Sequence, residues 1–328
     1  MKFLDQRTID STGSFLVQQL EQLDPTMHLP LQEFAWSRDI NVRSDVTMAH
    51  DFSSFTQSAM ASVGGISPNR KAFISKDSST LPSVALDIGK TASPLIPWGL
   101  EANWSVFELE SSQLLGQPID EQKFNAVRVK LQQDTDIQVY LGDTDIPNAY
   151  GLLNSPQVTN NSAVAASGVG SSTLWTNKTP AQILTDINEL LNSVYTASGF
   201  AKCPTKLGLC PVMFGYLVTT LVSSAGNVSI LTYVKNNCLA MELNGRPLEI
   251  VPIKWATGTN NNNTLGVNAT DMMVAYTQEF DVVRFPMVPM MRLPIQFKGA
   301  SQIAPYVCKL GLVEFVRPEA IGTRYGIN

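Results

Sequence analysis

Charge is scarce in this chain. Only 16% of its 328 residues are Asp, Glu, Lys or Arg, against about a quarter in an ordinary soluble domain. Ser, Thr, Asn and Gln fill the difference. A surface poor in charge but rich in uncharged polar groups suits contact with other protein, because interface centres are depleted of charge. The net charge is −5, and no block or stripe of Lys and Arg occurs. That argues against a sequence-reading nucleic-acid module, which needs a basic surface to hold phosphates. His28 and His50 are the only histidines, and neither stands beside a Cys or Ser nucleophile in a familiar pattern. Cys203, Cys210, Cys238 and Cys308 form no C-x-x-C pair. Zinc-ligand spacing is therefore absent, and the expectation is four reduced, mostly buried thiols. Long apolar runs are missing too. Nothing approaches the ~20 residues of a membrane helix, and Met1-Lys2-Phe3-Leu4-Asp5-Gln6-Arg7 lacks an apolar core of signal-peptide length. There is no phosphate loop of the G-x-x-x-x-G-K-S/T type, no G-x-S-x-G elbow and no H-E-x-x-H.

What is present is enough apolar residue, 44%, for two compact lobes plus extensions. Residues 1–56 read as an N-terminal arm. Ser14–Leu23 is expected to form a short helix on Phe15, Leu16, Leu20 and Leu23, stopped at Asp24-Pro25. Glu33 to Asp51 then reads as extended. Residues 57–104 are rich in Gly, Ser and Pro but hold strand-like pieces at 71–76 and at 84–88, the second with Val84, Leu86 and Ile88 on one face. A turn over 77–82 would join them. Such a ribbon is marginal alone in water, so something must cover it, the chain itself or else a neighbouring copy, with Trp98 and Trp104 near its base.

A long helix is expected from about 118 to 141. Pro118 suits its first position, Asp120 and Glu121 suit the positive end, and Gly142 suits a left-handed cap. Its length would be roughly 35 Å. Residues 154–178 read as a mobile loop. A sharply marked helix follows: Thr179 as N-cap, Pro180 first, Gln182 closing a capping box, and Ile183, Ile187, Leu190, Leu191 and Val194 as the buried stripe ending at Gly199. Beyond it come a short strand at Leu207 and Leu209, a helix from Pro211 to about Ser224, and a helix capped by Ser229. Strands are expected over 247–255, 272–284 and 306–317. Asn260–Asn263 would lie in a hairpin-like loop. Pro286, Pro289 and Pro294 would break the stretch between two strands or place it at an edge.

Candidate chemistry is thin. Asp134, Asp136, Asp143 and Asp145 form the best cation candidate, although Asp at a helix end and turn also serves local turn geometry. Gly168-Val-Gly170 lacks the strand-then-helix setting of a phosphate loop and reads as a flexible linker. The run Met287–Met291 reads as packing material. No catalytic, cofactor-binding or metal-binding residue is assigned.

Several passages nevertheless resemble one family, the encapsulin-like (HK97-like) major capsid proteins of tailed bacteriophages. They are Phe107 to Lys123 leading into the long helix, then Gly142-Asp143 and Gly151-Leu-Leu-Asn-Ser-Pro156. Trp175 with Thr179–Leu184, Asp186–Asn188 and Ser198-Gly199 follows, then Met272–Tyr276 through Pro294. The last are Gly311-Leu-Val-Glu314, Arg317–Ile321 and Tyr325-Gly-Ile327. They are spread over most of the chain in the expected order and carry no catalytic residue.

The resemblance implies an α+β fold of four parts. These are an N-terminal arm (1–56), an extended β-ribbon loop or E-loop (57–104), a peripheral domain (105–200 and 291–328) with a spine helix over about 118–141, and an axial domain (201–290). It implies a non-enzymatic subunit that forms hexamers and pentamers of an icosahedral head shell around double-stranded DNA. The alternative is the shell of an encapsulin nanocompartment. Partners would be further copies of the chain, a scaffolding protein, a portal and decoration or minor capsid proteins. No cofactor, membrane or sequence-specific DNA contact is implied. Assembly would occur in the bacterial cytoplasm and the product would be the virion capsid. Phe73, Ile74, Val84, Leu86, Ile88, Trp98 and Trp104 are the expected intersubunit contacts. Lys71, Lys76 and Lys90 lie in the loop region, but no motif identifies a cross-linking acceptor.

Overall fold

The computed structural model describes residues 34–63, 72–74, 76, 77, 79, 81, 83–115, 119–223, 226–261 and 267–328. The expected helix over Ser14–Leu23, as well as His28 and Lys71, lies outside them. In chain order the first elements are α1 (Trp36–Asp39), β1 (Asn41–Arg43), β2 (Phe52–Val63), β3 (Ser83–Pro94), β4 (Ile96–Ser105), α2 (Val106–Leu115) and α3 (Ile119–Tyr140). Next come β5 (Thr159–Ala163), α4 (Pro180–Ala197), β6 (Lys206–Leu209), α5 (Pro211–Thr219), α6 (Ile230–Asn237), α7 (Leu239–Asn244) and β7 (Glu249–Pro252). The chain closes with β8 (Met272–Tyr276), β9 (Val283–Arg292), β10 (Gln296–Lys298), β11 (Ser301–Leu310), β12 (Glu314–Phe315) and β13 (Ile321–Tyr325). Among the described residues there are two units, one of 99–131 and 292–306, the other of 34–98, 132–291 and 307–328.

The larger unit is organised by α4. The Thr179 hydroxyl accepts from Gln182 N at 3.4 Å and the Gln182 side chain accepts from Thr179 N at 2.8 Å, so two N-terminal donors are satisfied reciprocally. Ile183, Ile187, Leu190, Leu191 and Val194 are all 0% exposed. Burying each such side chain stabilises by about 1.5–3 kcal/mol. The helix packs on a five-stranded sheet of order β5-β13-β8-β6-β7. Strand β8 is buried along its whole length, and β13 pairs antiparallel to it from Ile321 opposite Tyr276 to Tyr325 opposite Met272. Strand β9 pairs parallel with β1 and antiparallel with β12.

The turn after α3 shows why its sequence is so particular. Gly142 has φ +71°, and a Cβ there would stand 2.0 Å from the Ala149 carbonyl oxygen. At Gly151 a Cβ would lie 2.3 Å from the Tyr140 carbonyl carbon. The Asn154 side chain accepts from Gly151 N at 2.7 Å and donates to Leu141 O at 2.6 Å. Leu152 and Leu153 are thereby pressed into the core.

In the smaller unit β10 and β11 form a hairpin, Lys298 opposite Ser301. Trp104 of β4 is buried and donates its indole N–H to Gln302 at 3.0 Å. Phe124 of α3 tilts against Tyr306, ring centroids 5.5 Å apart.

Several expectations are corrected. The ribbon does not pair 71–76 with 84–88: β2 is the partner of β3, from Phe52 opposite Pro94 to Val63 opposite Ser83, and the described residues 72–74 are not strand. The stretch from Glu33 to Asp51 holds the short helix α1. The expected loop 154–178 contains β5, and its Gly168 to Ser171 is a closed turn, Gly168 N donating to Ser172 O and Val169 N to Asn177 O, rather than a flexible linker. Strand 272–284 is two strands, because the Glu279 carbonyl takes both Val282 N and Val283 N in a turn. The last region divides likewise into β11 and β12, and α5 stops at Thr219, before the bridge of Leu221 with Ser229. Pro286 and Pro289 lie inside β9. The sheet accepts Pro286 because β1 ends opposite it at Arg43, while on the other edge its carbonyl receives Gly311 N at 2.9 Å.

Candidate assembly surfaces

The β2–β3 ribbon has twelve paired positions in unbroken antiparallel register. The ladder pairs only the backbone groups on the facing edges of the two strands. Every residue from Ser83 to Ala92 is exposed, so both faces of β3 are open. Val84, Leu86 and Ile88 share one face at 61%, 64% and 68% exposure. Phe73, Ile74 and Leu81, in the connection beyond the paired strands, are exposed as well. Single exposed apolar residues are ordinary; an aligned row on a thin ribbon is not, because a monomer seldom leaves contiguous apolar surface open.

The ribbon's root, in contrast, is held by a buried carboxylate. Glu314 is 1% exposed. Its oxygens take Arg284 Nε at 2.6 Å, Arg43 at 3.4 Å and the hydroxyl of Ser53, near the start of β2. Arg43 also donates to Ser54 O at 3.0 Å and pairs with Asp45 at 2.6 Å. The Asp45 hydrogen bond is the main reason the Arg43 guanidinium sits above its ordinary pKa. Gln57 donates to Val316 O at 2.6 Å, and Lys309 joins Asp51 at 2.9 Å. Beneath lies a small apolar cluster of Val46, Leu95 and Val288. Sequence reading named Glu314 only as part of a family passage. Its role depends on partners far away in sequence, and no local signal marks it.

Trp98 follows the root. It is half-buried and donates to Asp134 at 2.9 Å. It lines a cavity of about 770 Å³ together with Ile96, Ile137, Leu141 and Ile146, with Asp134, Gln138 and Asp143 supplying polar groups. Trp104 belongs to the interior of the smaller unit and offers no surface, so it is removed from the set of expected contacts.

The four candidate aspartates do not converge on one point. Asp136 is buried and takes Trp255 Nε1 at 2.7 Å, Lys254 Nζ at 2.8 Å and Ala35 N at 3.3 Å. Asp143 accepts Asp145 N at 2.9 Å in a local turn. No group of three or more His, Cys, Asp or Glu that could hold a metal occurs among the described residues. His50 Nδ1 accepts Thr47 N at 3.0 Å and closes a turn. All four cysteines are free and buried. Burial pushes the Cys203 and Cys308 thiols up to about 11 and raises Cys210 further, with Asp271 adding to the effect.

Two other buried ionic clusters are structural. Asp186 takes Lys178 Nζ at 2.6 Å and Trp175 Nε1 at 2.9 Å, which ties the segment before α4 to its second turn. Desolvation raises the pKa of Asp186 despite that lysine. Asp39 gathers Arg38 at 2.8 Å, Lys206 at 3.3 Å and the Tyr140 hydroxyl, while Tyr276 donates to its backbone carbonyl at 2.8 Å. Sequence reading missed this cluster, whose members stand up to 237 positions apart.

Comparison with known proteins gives a consistent picture. A family model described as major capsid protein matches residues 70–327. The capsid of Myoviridae Phage XM1 aligns at TM-score 0.72 and 15% identity, covering 94% of this chain and 98% of that one. A structure from Microbacterium phage Oxtober96 aligns at TM-score 0.61 and 11% identity, covering 97% and 99%. An encapsulin complex from Synechococcus elongatus PCC 7942 aligns at TM-score 0.52 and 15% identity, covering 100% and 97%. No curated protein matches by sequence. The fold is therefore the HK97-like capsid fold expected from the sequence.

Proposed function

The chain belongs to the major capsid protein family, and from that premise we propose that it builds the icosahedral head of a tailed phage as hexamers and pentamers around double-stranded DNA. The observation that carries this reading is the uncovered β2–β3 ribbon. A hydrogen-bonded arm with an open apolar row gains little in a solitary subunit, but it can bury that row on the next copy. Repeated head-to-tail contacts of that kind close into rings.

The subunit acts by shape and contact, without catalysis. Phe73, Ile74, Val84, Leu86, Ile88 and Trp98 are its lateral contacts. Residues 1–56 serve as an arm along neighbours, 57–104 as the extended loop with its root reaching back to Phe52, 201–290 as the axial domain and the remainder as the peripheral domain. A separate scaffolding protein, a portal and decoration proteins complete the particle, which assembles in the host cytoplasm. No helix among the described residues is long and apolar enough to cross a membrane. The low charge leaves the inner lining without a basic lattice, so packaged DNA is neutralised mainly by small cations.

Expression of the chain with and without a candidate scaffold, followed by electron microscopy of the high-mass fraction, tests the proposal. Shells, hexamers or tubes are expected. A clean monomer or dimer under both conditions would refute it. The encapsulin-like alternative, favoured by a full-length alignment to one such shell, predicts protein rather than DNA inside native particles.

A further inference from the structure

We propose that the cavity beside Trp98 is a polyamine site, which takes a linear triamine of the spermidine type. The inference stands on the cavity itself and does not depend on the shell reading. Asp134, Ile137, Gln138 and Leu141 line the cavity at helical spacing, so they share one face of α3 and the turn that follows it. At the usual helical rise Asp134 and Leu141 stand about 10 Å apart along the axis. Asp143 lies just beyond, in the turn. The lining is therefore an apolar strip, widened by Ile96 and Ile146, with a carboxylate at each end. Asp134 accepts the Trp98 indole N–H at 2.9 Å, and Asp143 accepts Asp145 N at 2.9 Å. Neither contact exhausts a carboxylate, which accepts about four hydrogen bonds. No lysine or arginine is among the described residues that line the cavity.

Separation of the carboxylates selects the ligand. A metal ion needs its oxygens gathered around one point. A long cation with an ammonium group at either end needs them apart, with apolar surface between for its methylenes. Trp98 adds an aromatic ring, which attracts cations. Gln138 marks the place of a middle amine. It stands between the two carboxylates along the strip, and its amide nitrogen is buried without an acceptor among the described residues. A buried donor left unpaired is costly. Turning the amide end for end sets its oxygen in that place, where the inner N–H of a triamine can donate to it. From Asp134 to Gln138 the helix advances about 6 Å, and three or four methylenes hold successive amines a similar distance apart.

Titration calorimetry of the full chain with spermidine tests the assignment. One site per chain is expected, weakened about tenfold or more by Asp134→Asn and by Asp143→Asn, as loss of a charge-assisted contact implies. Each asparagine keeps an oxygen for Trp98 Nε1 or Asp145 N, so the local contacts survive. Asp87→Asn, on the exposed ribbon, removes the same charge and should leave the affinity unchanged. Butane-1,4-diamine reaches only one carboxylate and should bind about tenfold more weakly than spermidine. A second measurement leaves both aspartates in place. Thr144→Cys sets a thiol on the exposed part of the lining, and spermidine should slow its labelling severalfold without affecting Val169→Cys, which is exposed elsewhere. The native cysteines are all buried, so background is low. Equal losses from Asp87→Asn and Asp134→Asn, or labelling of Thr144→Cys that ignores spermidine, would reduce the effect to diffuse attraction by an acidic chain and overturn the site. Absence of both heat and protection would overturn it as well.

Discussion

The α4 layer and the β2–β3 ribbon solve the same problem in opposite ways. In α4 the capping box, the proline at the first position and five fully buried aliphatic side chains all support one state. The ribbon has an equally regular hydrogen-bond ladder, yet none of the ten residues from Ser83 to Ala92 is buried. Backbone pairing alone gives little net stability. The stripe of α4 is buried within one chain, whereas the apolar row of the ribbon is left open, as the proposed contact with a second copy requires.

The sharpest way to break this comparison is to remove the ribbon's outer part. Deleting residues 67–90 should abolish shell formation while the remaining chain stays folded. Sedimentation and microscopy read the first effect, and a melting curve shifted by only a few degrees reads the second. Normal particles from the deletion would show that the ribbon is not an assembly element.

Single substitutions in the two regions should separate stability from assembly. Leu190→Ala should lower unfolding free energy by about 2–5 kcal/mol, because it leaves a cavity in a packed site. Leu86→Asp should change monomer stability by no more than about 0.5 kcal/mol, yet lose most assembled product. Urea denaturation of the unassembled subunit and particle yield measure the two quantities. A large stability loss from Leu86→Asp would mean that the ribbon is covered by its own chain.

Between the two regions lies the root, where Glu314→Gln offers a smaller effect. The amide keeps the size of the side chain but removes the charge that Arg284 and Arg43 share. Losing a charge-assisted hydrogen bond at a buried site costs about 1–3 kcal/mol. Hydrogen exchange should quicken first at Ser53 and Ser54, with α4 unchanged. Equal protection throughout would mean that this carboxylate does not hold the ribbon.

Legibility in the sequence followed the range of the interactions. The two long helices, the Thr179 capping box, Gly142 and the strand at Leu207 and Leu209 are written in residues a few positions apart, and the structure agrees with them. Strand β2 was missed because Phe52–Val63 is largely Ser, Thr, Ala and Gln, and its partner lies beyond a long connection rather than a tight turn. Strand β5 is a polar Thr-Asn-Asn-Ser-Ala run that becomes a strand only beside β13. Pro286 in β9 needed knowledge of where its neighbour ends. The Asp39 and Glu314 clusters were illegible for the same reason, since every partner but Arg38 comes from far along the chain or from an unmarked loop. The shared face of Val84, Leu86 and Ile88 was readable from alternation, whereas the burial of Trp104 required the fold.

The smallest expected effect concerns thiols, and it sharpens the same contrast. At pH 8 a thiol with a pKa near 11 is ionised to about one part in a thousand, and the thiolate is the reacting species. Cys203 and Cys308 fall in that class, Cys210 is raised further, and Cys238 is enclosed. The native subunit should therefore leave all four unlabelled by a thiol reagent at pH 8, and guanidinium should release all four together. The raised values also have a sign for stability. Because the folded thiols hold their protons more tightly, their contribution is full below the ordinary thiol value of 9.0 and declines as pH climbs from there towards about 11. Ile88→Cys supplies the opposite case, a thiol on the open ribbon that should label at once in the free subunit. The same thiol should become protected when shells form. Rapid labelling of Ile88→Cys inside intact shells would leave the ribbon's apolar row uncovered even there, and would remove the main argument for its role.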